Sequence, residues 1–122
     1  MKRETAEKAA KWWGDTISGT HHHDNGAEDN RNLLAMSLAD AIAAVNRPTD
    51  DQVSKFVDLL TDKLVNTDNI SIYCDYHPDL FLLEVAEKVG IDESVFPYKT
   101  SMSIRNDVVS VKSGYGSSYI DI

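Results

Sequence analysis

Along the first half of the chain, apolar residues recur at helical spacing. Ala6, Ala9, Ala10, Trp13 and Ile17 trace one face of a helix over 3–18. Glu4–Lys8 and Glu7–Lys11 form i, i+4 pairs on its outer side. Trp12 lies about 100° around the helix from Trp13, so one tryptophan is expected in the core and the other at its margin. Gly19 suits the helix end. A second stripe, Leu34, Leu38, Ala41, Ile42 and Val45, follows a loop. Asn25 and Glu28 have capping-box spacing and place its start near Gly26, and Asn46-Arg47-Pro48 ends it. Thr49 and Gln52 form another capping box ahead of a third stripe, Val53, Phe56, Val57, Leu60 and Leu64.

After residue 67 the period shortens to two. Ile70, Ile72 and Cys74 alternate with Ser71 and Tyr73, which reads as a strand. Pro78 suits the first turn of a fourth helix; Leu82, Val85, Ala86 and Val89 carry it to Gly90. Met102 and Ile104, then Val109 and Val111, alternate with polar residues around Asn106-Asp107, a hairpin signal. The tail over 114–119 reads as irregular. The expected fold is α+β in a single domain over 1–122. Three N-terminal helices form a helical part (1–66), and a β-α-β-β part (67–122) follows. The four helices cover one face of a small antiparallel sheet of about three strands.

Composition adds limits. At 122 residues, with 42% hydrophobic and 26% charged residues, the chain has the makings of one globular domain. A lone cysteine, Cys74, excludes an intramolecular disulfide and fits a reducing compartment. No apolar run approaches the ~20 residues of a membrane span. The amphipathic N-terminus lacks a signal-peptide core, so a soluble, cytoplasmic protein is expected. The net charge of −8 is concentrated in residues 15–93, which hold sixteen acidic and five basic side chains. Such a middle argues against direct nucleic-acid binding, which needs Lys and Arg on phosphates, and favours a basic protein surface as partner. No oligomeric state follows from these features.

Candidate chemistry gathers first at the corner Tyr73-Cys74-Asp75-Tyr76-His77-Pro78. Backbone N–H groups at a helix start are unpaired and favour an anion. A Cys74/His77 nucleophile–base pair with Asp75 is the catalytic reading. The alternative makes Cys74 a core residue, with Asp75 or His77 capping the next helix and Asp79 in its first turn. His21, His23 and Asp24 are of metal-ligand type, although His21-His22-His23 are consecutive and point in different directions. The loop also reads as a simple polar connection. Five tyrosines, Tyr73, Tyr76, Tyr98, Tyr115 and Tyr119, all lie after residue 72; tyrosine is enriched where proteins bind proteins, and strand surfaces favour it as well. Asp51, Asp58 and Asp62 recur at i, i+7 and i+11 on the third helix, as a solvated face or a negative interaction surface. Gly114 and Gly116 precede no helix pattern, so no dinucleotide fingerprint is present and no cofactor is expected.

Phe96-Pro97-Tyr98-Lys99-Thr100, followed by a strand and the Gly114-Tyr115-Gly116 tail, resembles small accessory proteins of phages and other mobile elements. In size and acidity the chain is similar to compact phage inhibitors, anti-CRISPR proteins among them. That resemblance implies a non-enzymatic inhibitor binding a basic channel of a bacterial nucleic-acid-binding protein. The binding residues are then Asp51, Asp58, Asp62, Tyr76, Tyr98, Tyr115 and Tyr119. The competing expectation is a metal-dependent or Cys/His hydrolase built from the 21–24 loop and the 74–77 corner. Convergence of those two segments in one cleft would favour it.

Overall fold

The computed structural model describes residues 1–18, 45–114 and 118–122. Helix α1 spans Arg3–Ile17, α2 Asp50–Val65 and α3 Leu80–Val89. Strands are β1 (Ile70–Cys74), β2 (Thr100–Arg105), β3 (Val108–Ser113) and β4 (Ile120–Asp121), with a short 3-10 turn at Glu93–Val95.

The stripe Ala6, Ala9, Ala10, Trp13 and Ile17 is buried, and it packs α1 along α2. The small residues of α1 allow the two helices to approach closely. A Cβ built on Gly14 would lie 2.5 Å from a methyl of Val57. On α2, Phe56, Leu60 and Leu64 are fully buried, while Val53 and Val57 are half-buried at the seam. Burying each of these large side chains contributes roughly 1.5–3 kcal/mol. The reciprocal capping box forms as its spacing predicts: Gln52 N donates to Thr49 Oγ1 (3.1 Å), and Thr49 N donates to Gln52 Oε1 (2.9 Å). Gln52 Nε2 also donates to the carbonyls of Val89 and Gly90, tying the start of α2 to the end of α3.

The sheet is an antiparallel meander in the order β1-β2-β3-β4. Pairing places Ile72, Met102 and Val111 in one row and sets Ile104 against Val109, all facing the helices. The opposite face carries Ser71, Ser103 and Ser110 in one row and Tyr73, Ser101 and Lys112 in the next. Strand alternation therefore separates an apolar face from a hydroxyl-rich one. Asn106 and Asp107 both take positive φ (52° and 62°), as a two-residue hairpin turn of the favoured twist requires.

That turn also completes α1. Lys2, the helix's N-cap residue, supplies no side-chain cap. Asp107 Oδ1 instead accepts from Lys2 N (3.0 Å) and from Thr5 Oγ1 (3.2 Å). The Lys2 amide bond, first among the causes, holds the Asp107 carboxyl below its ordinary 3.8. A carboxyl depressed on folding stabilises the native state above its unfolded pKa and loses that contribution as pH falls through the folded value. Glu84, held down by Lys63, and Asp92, held down by Ser94, act in the same direction. Stability should therefore be flat at mildly acidic pH and decline below about pH 4. Chemical unfolding of Asp107→Asn across that range should give a shallower decline than wild type; an identical slope would remove the cap from the explanation.

Several expectations require adjustment. The sheet has four strands rather than about three, because Ile120–Asp121 pairs with Ser110 and Val111. Two residues are too few to register as alternation, so the sequence announces no strand beyond 119. Two helices, α1 and α2, precede the sheet among the described residues. The helix expected from near Gly26 to Val45 lies outside them as far as residue 44, and Val45, the last residue of its stripe, is 84% exposed. Pro78 stands ahead of α3 instead of in its first turn, since Asp79 is the N-cap.

Candidate functional site

The corner between β1 and α3 is organised by one carboxylate. Asp79 Oδ1 accepts from Phe81 N (3.0 Å), capping α3, while Oδ2 accepts from Tyr73 N (3.1 Å) on the outer edge of β1. The cap is thus Asp79, not Asp75 or His77. A side-chain oxygen bonds best to an amide two or three residues ahead, and only Asp79 stands at that offset from Phe81. The segment between, Asp75-Tyr76-His77, is left as an exposed loop.

Period two turns Cys74 inward with Ile72. It is 2% exposed, and burial, with a smaller contribution from the Asp79 charge, pushes its thiol up to about 11 against a lowering backbone hydrogen bond from the Asp79 side. The sulfur therefore stays a thiol at neutral pH, whereas the thiolate is the nucleophile. His77 is exposed and lines a different cleft from Cys74. His21, His23 and Asp24 lie outside the described residues. Among the described residues no group of three or more His, Cys, Asp or Glu side chains is placed to hold a metal ion.

What the fold does bring together is the tyrosine set. Lys99 N donates to Asp75 O (3.3 Å), and Gly114 N donates to Lys99 O (2.7 Å). These bonds stitch the end of β1, the start of β2 and the end of β3 into one rim. Two clefts open on either side of it. The larger, about 410 Å³, lies between Tyr73 and Tyr119 and includes Lys99, Ser101 and Lys112. There Ser101 Oγ and Tyr119 Oη are 3.0 Å apart, and Lys112 Nζ stands 5.9 Å from the centre of the Tyr119 ring. The smaller, about 240 Å³, lies between Tyr76 and Tyr98, with Phe96 and Pro97 beside them and Asp92 and Glu93 on its acidic side. Tyr76 is 68% exposed and Tyr98 59%. None of the described residues lining this smaller cleft is Lys or Arg. Asp92 is fixed by accepting from Ser94 N (2.9 Å), and Asn46 Nδ2 donates to Ser94 Oγ.

The acidic stripe is present and solvent-facing, yet partly neutralised. Asp51 pairs with Lys55 (3.0 Å) and Asp62 with Arg3 of α1 (3.5 Å). Asp58 lines a groove with Arg3 and Lys11. Helical periodicity located these carboxylates on a solvent-facing side; that Arg3 and Lys11 of the first helix lie beside them depends on helix pairing, which periodicity does not report. Tyr115 lies outside the described residues. Neither Lys99 nor Lys112 stands among the binding residues expected from the sequence, because one lysine before a strand and one within it carry no local signal.

No protein-family model, curated protein or solved structure matches this chain. Among the described residues, no helix is long and apolar enough to cross a membrane.

Proposed function

We propose that this chain is a non-enzymatic interaction protein of the phage-inhibitor type, anti-CRISPR proteins being the model for it, which binds a basic surface on a bacterial nucleic-acid-binding protein. The observation that carries the reading is the smaller cleft. Two well-exposed tyrosines flank it, two carboxylates border it, and no lysine or arginine lines it among the described residues. Tyrosine combines a large rigid contact area with a polar tip, and it recurs at the energetic centres of protein interfaces. An arginine or lysine entering such a cleft meets a π-face and a carboxylate together. The net charge of −8 attracts a basic partner from a distance. Asp51, Asp58 and Asp62 act in this reading as an outlying field rather than as contacts, and Tyr119 extends the aromatic surface on the other side of the rim.

Affinity capture from a bacterial lysate, with the wild-type chain and the Tyr76→Ala/Tyr98→Ala variant side by side, tests the reading. A partner should be retained by wild type and lost by the variant. Once it is purified, each single tyrosine substitution should weaken binding on the order of thirtyfold, as loss of about 2 kcal/mol at a hot spot implies. Association should slow as salt rises. Retention indifferent to both tyrosines and to salt would defeat the proposal.

A further inference from the structure

We propose that the larger cleft is a separate binding site for a small phosphate ester with a flat ring. It does not depend on the protein-binding reading, and either can fail alone.

The first support is charge. In a chain of net −8, the described residues lining this cleft include Lys99 and Lys112 and, as carboxylate, Asp75 alone. Two ammonium groups and the Ser101–Tyr119 hydroxyl pair offer several donors to one polyvalent anion. The second is shape. The cleft holds about 410 Å³, within the range of small-ligand sites. Its walls include Tyr73 and Tyr119, 59% and 45% exposed, whose rings suit a planar body.

The third support is the backbone at Lys99. Its φ is 56°, in the left-handed region. The other described non-glycine residues with positive φ are Asn106 and Asp107, types that tolerate that region, in a turn that demands it. At Lys99 the conformation is imposed by its two backbone bonds, to Asp75 O and from Gly114 N. Glycine would meet the same demand without strain. A lysine at that position keeps a cationic residue in the lining of the cleft at a cost in backbone energy, and such strain collects at working sites.

Phenyl phosphate is the smallest probe with both ring and phosphate, and inorganic phosphate and phenol supply the halves. Titrations followed by amide NMR should show phenyl phosphate binding at least tenfold more tightly than either half, with the amides of Tyr73, Ser101 and Gly114 shifting. Lys99→Gly should weaken binding tenfold or more while the Tm is unchanged or higher; Lys112→Gln should weaken it with the fold intact. Lys55→Gln, on the outer face of α2, should leave binding as it was. Three results would each overturn the proposal: phenyl phosphate binding no better than phosphate, Lys99→Gly retaining affinity or lowering the Tm, or Lys55→Gln weakening binding as much as the cleft variants.

Discussion

Replacing Trp13 by alanine should destabilise the protein by about 3–5 kcal/mol, the range for deleting a large buried aromatic. Trp13 is fully buried. Its ring meets Trp12 edge-on at 4.9 Å and lies 6.4 Å from Phe96, which in turn lies 5.9 Å from Phe56. This aromatic group joins α1 and α2 to the segment entering β2, so the cavity would open between all three. Trp13→Phe should cost much less than its lost volume suggests. The indole Nε1 is buried with no hydrogen-bond partner among the described residues, and an unsatisfied buried donor costs about 1–3 kcal/mol that phenylalanine does not incur. Urea unfolding of both variants checks this. Equal losses for Phe and Ala would show that packing alone governs the site and that the orphan donor is no burden.

Asp79→Ala should cost about 2 kcal/mol, combining a lost helix cap with a lost bond to the strand edge. Both oxygens are used, one on Phe81 N and one on Tyr73 N. The change should therefore fray the start of α3 and loosen β1 together, visible as faster amide exchange at Phe81 and Tyr73. Asp79→Asn should retain part of the stability through its remaining carbonyl oxygen. Alanine at both Asp75 and His77 is the control, since both side chains are exposed and neither caps the helix. A double variant as unstable as Asp79→Ala would return the capping role to those residues.

The same corner shows how far a sequence reading reaches. Alternation placed Ile72 and Cys74 inward and Tyr73 outward, because a strand permits only two facings. The apolar stripes of α1, α2 and α3 came from an equally rigid period. The Thr49–Gln52 box and the Asn106-Asp107 turn were legible because both ends of each interaction lie within four residues. Asp79 stands one position earlier than expected, as cap rather than in the first turn, and its second oxygen is held by Tyr73 N, six residues back, which only the folded corner brings near. The pairing of Tyr76 with Tyr98, and of Lys99 with Lys112, follows from strand order and register. No spacing rule within the chain encodes either pairing. Ile120–Asp121 escaped notice because its strand character comes from the β3 edge it lies against.

The capping of α1 by Asp107 bears on when the first helix can be finished. Lys2 N and Asp107 are separated by 105 positions along the chain. At about 5–20 residues per second, synthesis reaches the hairpin turn roughly 5–20 s after the N-terminal turn has been made. Throughout that interval the Lys2 amide and the Thr5 hydroxyl lack the carboxylate that later accepts from both. The start of α1 is thus capped only after the turn between β2 and β3 exists, and its leading turn records whether that hairpin has formed.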